Sequence, residues 1–200
     1  MSEVVFLFVL GGVAALVGDH GHVASGTTEY FDTAHEVPFL WSSPIWFPVM
    51  VGTATVSLAE LRLHLGPIRT TVTARQGLAG VAAVVGTYAL TAVVHTAPAV
   101  PATALIIALA VITWCALGDR TSIACGVLAA VGGPVVEIVL VKVGVFRYAD
   151  DSSALFGVGP WLPPLYFSFG VVVALLAEIA VAQRDRDAVR SSDLDTSAPQ

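Results

Sequence analysis

Residues 77–118 read GLAGVAAVVGTYALTAVVHTAPAVPATALIIALAVITWCALG, a tract without a single Asp, Glu, Lys or Arg. A helix rises about 1.5 Å per residue and needs roughly 20 residues to cross a hydrocarbon core about 30 Å thick. The tract is long enough for two crossings, and its one interruption, HTAPAVP at 95–101, supplies the turn between them. Such a short link forces two antiparallel neighbours.

The rest of the chain agrees with that hairpin. Of 200 residues, 56% are hydrophobic and only 12% charged, with a mean hydropathy of +0.83. Soluble domains carry about a quarter charged residues, so a water-soluble fold is excluded. Spans are expected at about 3–18, 44–61, 76–94, 101–118, 122–143 and 161–182. The expected fold is an all-α integral membrane protein of six transmembrane helices, with a membrane domain over 1–183 and a polar, unstructured tail over 184–200. A net charge of −6 leaves nothing basic enough for nucleic acid. The two cysteines, Cys115 and Cys125, make neither a CxxC pair nor a metal set, and no cofactor is implied.

Orientation follows from basic residues. With the amino terminus in the cytoplasm, the inner segments hold Arg62, Arg69, Arg75, Arg120, Arg184, Arg186 and Arg190, against Lys142 and Arg147 outside. That asymmetry places both termini inside. Trp41, Trp46, Tyr148 and Trp161 fall where interfacial aromatics belong.

Glu137 is the most informative residue. It stands about fifteen residues into the fifth span, where a carboxyl facing lipid costs several kcal/mol, so it should turn inward. Gly132, Gly133 and Pro134 precede it; the proline lacks an N–H and the glycines lack side chains, so a kink or local widening is expected. Two readings stay open: a polar contact for a lipid head group, or a carboxyl that hydrogen-bonds a neighbouring helix. Tyr88, Thr91 and His95 form one stripe on the third span that could line the same cavity, with His95 close to the outer interface. Asp119 and Arg120 end the fourth span as a topological stop or a contact for another membrane protein. Glu60 and Glu178, near the inner ends of their spans, read as interfacial. The outer cluster Asp19, His20 and His22, with Glu29 and Asp32, matches no metal signature and reads as a solvated loop. No catalytic motif is present.

Several segments resemble the Insig family of small sterol-sensing membrane proteins, which retain the partner Scap. They are VKVGVFRY at 141–148, PWLP at 160–163 and LYFSFGV at 165–171 before and into the last span, SSPIWFP at 42–48 with GTA at 52–54 in the second, HLG at 64–66 after it, and Asp119-Arg120. The likeness runs in order over about residues 5–180. It implies a six-helix Insig-like bundle with a lipid cavity reached from the membrane, and it carries Asp119 and Arg120 over as a partner contact. Thr121-Ser122-Ile123 departs from the family's arginine-serine-glycine, and Glu137 replaces an uncharged polar residue. The Ala- and Val-rich composition points to a bacterial cytoplasmic membrane, where a diglyceride suits better than an oxysterol.

The expected function is therefore a non-enzymatic lipid binder, with a sensing role open to it, that holds a diglyceride-like or sterol-like ligand between helices. Glu137, Tyr88, Thr91, His95, Gly133 and Pro134 line or shape the pocket, with Trp161 and Tyr166 added. A membrane-protein partner or a homo-oligomer fits the same picture. The alternatives are an enzyme acting at the outer face through Asp19, His20 and His22, and a structural assembly module.

Overall fold

The computed structural model describes residues 3–31 and 36–196, with side chains described as far as 186. Asp32 of the outer acidic cluster lies outside the described residues. Six helices run in order: α1 Glu3–Ser25, α2 Trp46–His64, α3 Ala74–Val93, α4 Ala99–Leu117, α5 Ser122–Lys142 and α6 Leu162–Thr196. Four short strands lie between them: β1 Thr28–Tyr30, β2 Phe39–Leu40, β3 Ser43–Pro44 and β4 Phe146–Tyr148.

The turns are set by local chemistry. Thr73 and Gln76 form a reciprocal capping box at the start of α3. Pro101 sits in the first turn of α4, where a missing N–H leaves no bond unmade. Asp119 caps α5: its Oδ1 accepts from the Ser122 N–H at 2.7 Å, and its own N–H donates to Ser122 Oγ at 2.9 Å. At the other end of α5, Gly144 takes φ +75°, a left-handed turn that suits glycine and sends the chain into β4.

Five of the six helices are long and apolar enough to cross a membrane. The exception is α2, whose second half carries Glu60, Arg62 and His64. Outward-facing side chains are Val, Leu, Ile and Phe, as with Val9 and Val13 on α1, Ile107 and Ile112 on α4, and Val135 and Val139 on α5. A surface of that composition belongs against lipid. Helix α6 is the axis. Its apolar stretch is the most buried of the five, and it packs on α2, α3, α4 and most extensively on α5. Close approach of α5 and α6 depends on Gly170, where a Cβ would run into the Cys125 carbonyl.

One end of the bundle carries the strands. β1 and β4 pair antiparallel in the register Thr28↔Tyr148, Glu29↔Arg147 and Tyr30↔Phe146. Alternation puts Phe146 and Tyr148 inward and Arg147 outward, where it meets Glu29 at 2.6 Å. The other end carries most of the arginines.

α1 continues past residue 18 to Ser25, because Asp19 and His22 are buried against the strands and α3 instead of lying in a wet loop. Glu178 is buried between arginines instead of lying exposed at a surface. α6 is helical to Thr196.

Candidate functional site

A narrow hollow of about 60 Å³ lies among α1, α2, α3, α5 and α6, on the strand side of the bundle's middle. Its walls are mostly apolar: Ala14 and Ala15 from α1, Phe47 and Val51 from α2, Val84 and Val85 from α3, and Leu165 and Phe169 from α6. Three polar side chains reach it, Glu137, Tyr88 and Tyr166.

Glu137 faces the interior and is 8% exposed. Its Oε2 accepts a hydrogen bond from the Tyr148 hydroxyl at 2.5 Å, and its Oε1 accepts one from Tyr166 at 2.6 Å. Tyr166 fits because Gly133 stands one turn before Glu137, and a Cβ there would come within 2.5 Å of the tyrosine ring. Tyr148 arrives from β4 after the Gly144 turn. Burial, with the Glu137 carboxyl beside it, pushes the Tyr148 phenol well above its ordinary range, so it stays a proton donor.

Tyr88 packs its ring on Gly18 of α1, where a Cβ would overlap it, and meets His22 edge-on at 4.7 Å. Its hydroxyl has no hydrogen-bond partner among the described residues. His22 is held at 2.8 Å to Thr91 Oγ1, whose proton goes to the Tyr88 carbonyl at 2.6 Å.

A second carboxyl is tied in the same way. Asp19 Oδ2 accepts from Ser43 at 2.5 Å and from Tyr30 at 3.0 Å. Burial and the adjacent Asp19 push the Tyr30 phenol upward. The β1–β4 ladder thus drops one tyrosine onto α1 and another onto α5.

The opposite end is clasped by ions. Arg62 and Glu178 pair with neither side chain exposed, and Arg69 donates to Glu178 Oε2 through Nε at 2.8 Å and Nη2 at 2.6 Å. Asp119 Oδ2 lies 3.3 Å from Arg62. Its carboxylate is engaged internally, whereas Arg120 beside it is exposed.

Of the residues singled out from sequence, the structure brings Glu137, Tyr88 and Tyr166 to the hollow and Gly133 to the adjoining crevice between α2 and α5. Pro134 is buried inside an unbroken α5. Thr91 stands behind Tyr88, and the ring of His95 bonds its own helix at Ala92. Trp161, just before α6, is fully buried in the cluster that includes Ala102 and Ile106 of α4 and Phe146 and Tyr148 of β4, and does not itself line the hollow. Tyr148 was expected at the interface but turns inward; the alternation Phe146-Arg147-Tyr148 was the available signal. Phe169 and the Asp19 ties carried no sequence signal. His20 bonds Ser42 at 2.8 Å and stacks on Trp41, whereas His22 points to Thr91, so the two histidines face different partners. The described residues gather no group of three metal-ligating side chains.

No family model matches the chain. A curated protein of Mycolicibacterium vanbaalenii, described as an INSIG protein homolog, is 65% identical over 184 residues, 92% of this chain and 89% of the relative. The crystal structure of a mycobacterial Insig homolog, MvINS from Mycobacterium vanbaalenii, superposes with a TM-score of 0.90 at 65% identity, covering 92% of this chain and 96% of that one. A cross-linked trimer of an MvINS variant matches with the same TM-score at 64% identity. Identity of that order over nearly the whole length, on the same fold, makes the chain a bacterial member of the Insig family and an integral membrane protein.

Proposed function

We propose that the protein holds a membrane lipid with a small, uncharged, hydroxyl-bearing head group, of the diglyceride or sterol kind, between its helices. The observation that carries this is Glu137, an inward carboxyl on a bilayer-crossing helix beside an apolar hollow that Tyr88 and Tyr166 also line. Each Glu137 oxygen has one tyrosine donor and retains a lone pair for another. A ligand hydroxyl can use that capacity by donating to it. The hollow is well below the roughly 300–1,000 Å³ of pockets that engulf a ligand, so it suits a head group with chains lying outside it.

By the distribution of arginines, the clasped end faces the cytoplasm with both termini, and the polar stretch from 184 extends there. Likeness to a protein seen as a cross-linked trimer supports a homo-oligomer, with exposed Arg120 available to a neighbour. The test is native mass spectrometry of gently purified protein. A stoichiometric neutral lipid is expected in the wild type, and its loss in Glu137→Leu. Protein empty in several mild detergents and in nanodiscs would refute the reading.

A further inference from the structure

A space larger than the Glu137 hollow lies at the strand end of the bundle. It measures about 480 Å³ against about 60 Å³, and the two share no lining residue. That volume is in the range of pockets that take a whole small ligand. Val23, Tyr30, Phe39 and Trp41 give it apolar walls, and Glu29 and Ser42 give it polar groups. A second space of about 270 Å³ shares Gly26 and Glu29 with it and extends to Arg147 and Asp150.

Trp41 is presented to this space instead of being packed away. With Ser42 it forms the two-residue turn between β2 and β3, at φ +62°, a left-handed conformation that costs a bulky residue free energy. One face of its ring stacks on His20, with centroids 4.9 Å apart and planes 15° from parallel, and His20 is itself fixed by Ser42 at 2.8 Å. The side chain is nonetheless well exposed, so the other face is open. Nearby, Arg147 donates to Glu29 Oε2 through Nε at 2.9 Å and Nη2 at 2.6 Å, and Oε1 is left as an open acceptor among the described residues. Thr28 lines the same space, and its buried hydroxyl lacks a partner among the described residues, where such a group ordinarily has one.

A ligand suited to these walls has an apolar face for Trp41, hydroxyls for Glu29 and no charge. A cation would meet Arg147, which already neutralises Glu29 and lies 5.7 Å from the Phe31 ring; an anion would meet Glu29 and Asp150. A hexopyranose has the required make-up: C–H groups on the face of a rigid ring, and hydroxyls around its edge that donate well to a carboxylate. We propose that the strand end carries a site for a neutral hexose, seated on the open face of Trp41 with a hydroxyl donating to Glu29 Oε1. The adjoining space toward Arg147 gives room for a second ring. The sugar comes free in solution or as the head group of a glycolipid in the neighbouring leaflet, since Leu40 and Ile45, exposed on either side of the turn, carry the apolar surface up to the rim. The site is independent of the Glu137 hollow.

The experiment uses the full chain in phosphatidylglycerol nanodiscs, free of sugar-bearing detergent. One arm adds glucose, galactose or mannose and reads saturation-transfer NMR; the other adds the corresponding monoglycosyl dioleoylglycerols and reads native mass spectrometry. Binding of at least one hexose is expected, weakened about tenfold in Trp41→Ala by loss of the stacking face and largely kept in Trp41→Phe. Glu29→Gln, which keeps the shape of the wall, should weaken it severalfold and guards against misfolding of the alanine variant. A response in the lipid arm alone assigns the site to a glycolipid head group, and a response in the soluble arm assigns it to free sugar; both support the proposal. Silence from all three hexoses in both arms would overturn it, as would binding unchanged in Trp41→Ala and Glu29→Gln. A glycolipid lost in Glu137→Leu and kept in Trp41→Ala would belong to the hollow, which overturns the strand-end site and leaves the lipid reading standing.

Discussion

Arg62 and Glu178 lie 116 positions apart in the chain and meet with no exposed surface on either side chain. Two charges taken fully out of water are held by each other, by Arg69 and by Asp119, so the loss of one partner leaves the others uncompensated. Glu178→Ala should cost about 3–5 kcal/mol. The pair Arg184–Glu3 is exposed, and Glu3→Ala should cost no more than about 1 kcal/mol. Denaturation in mixed micelles compares them, and equal effects would refute the difference.

Glu137→Leu strands two tyrosine hydroxyls in the interior, at roughly 1–3 kcal/mol each. Restoring balance should help: Glu137→Leu combined with Tyr148→Phe and Tyr166→Phe removes both donors along with their acceptor. The triple variant should melt higher than the single one, as measured by thermal scanning in detergent. A lower melting temperature would show that the hydroxyls have other partners.

Neighbouring glycines on α5 should respond oppositely. Gly133→Ala places a methyl against the Tyr166 ring and should lower both stability and lipid occupancy, by about 1–3 kcal/mol for the overpacked contact. Gly132→Ala points into open space and should be neutral or slightly stabilising through helix propensity. Melting curves of the two variants decide it.

Alkali should loosen the strand end. Tyr30 and Tyr148 have folded pKa values raised by burial, while an unfolded tyrosine ionises near pH 10. The stabilisation from keeping these phenols protonated is complete below about pH 10 and is lost as the pH rises beyond it. The melting temperature should fall above that point, and less steeply in Tyr148→Phe. Phenolate absorbance from Tyr148 at pH 10 with the fold intact would contradict this.

The helices were legible because lipid imposes a simple rule, twenty apolar residues per crossing, and 77–118 obeys it without exception. Glu137 was legible for the same reason, since a carboxyl at that depth must turn inward. What escaped the sequence depends on partners far apart in it. Glu178 read as interfacial because its arginines lie 116 and 109 positions away, on α2 and in the segment after it. Asp19 and His22 read as solvated because Ser43, Tyr30 and Thr91, which satisfy them, come from other elements. Tyr148 looked like an interfacial ring until β1 fixed which side of its strand faces in.

The ladder between Thr28–Tyr30 and Phe146–Tyr148 also sets an order of assembly. As the chain leaves the ribosome, the first strand must wait while α2 to α5 are synthesised and inserted, because Glu29 and Arg147 are separated by 118 positions. The seal over the strand end of the bundle therefore forms late in biogenesis, and a nascent chain stopped before residue 146 has nowhere to lodge the tyrosine that covers Asp19.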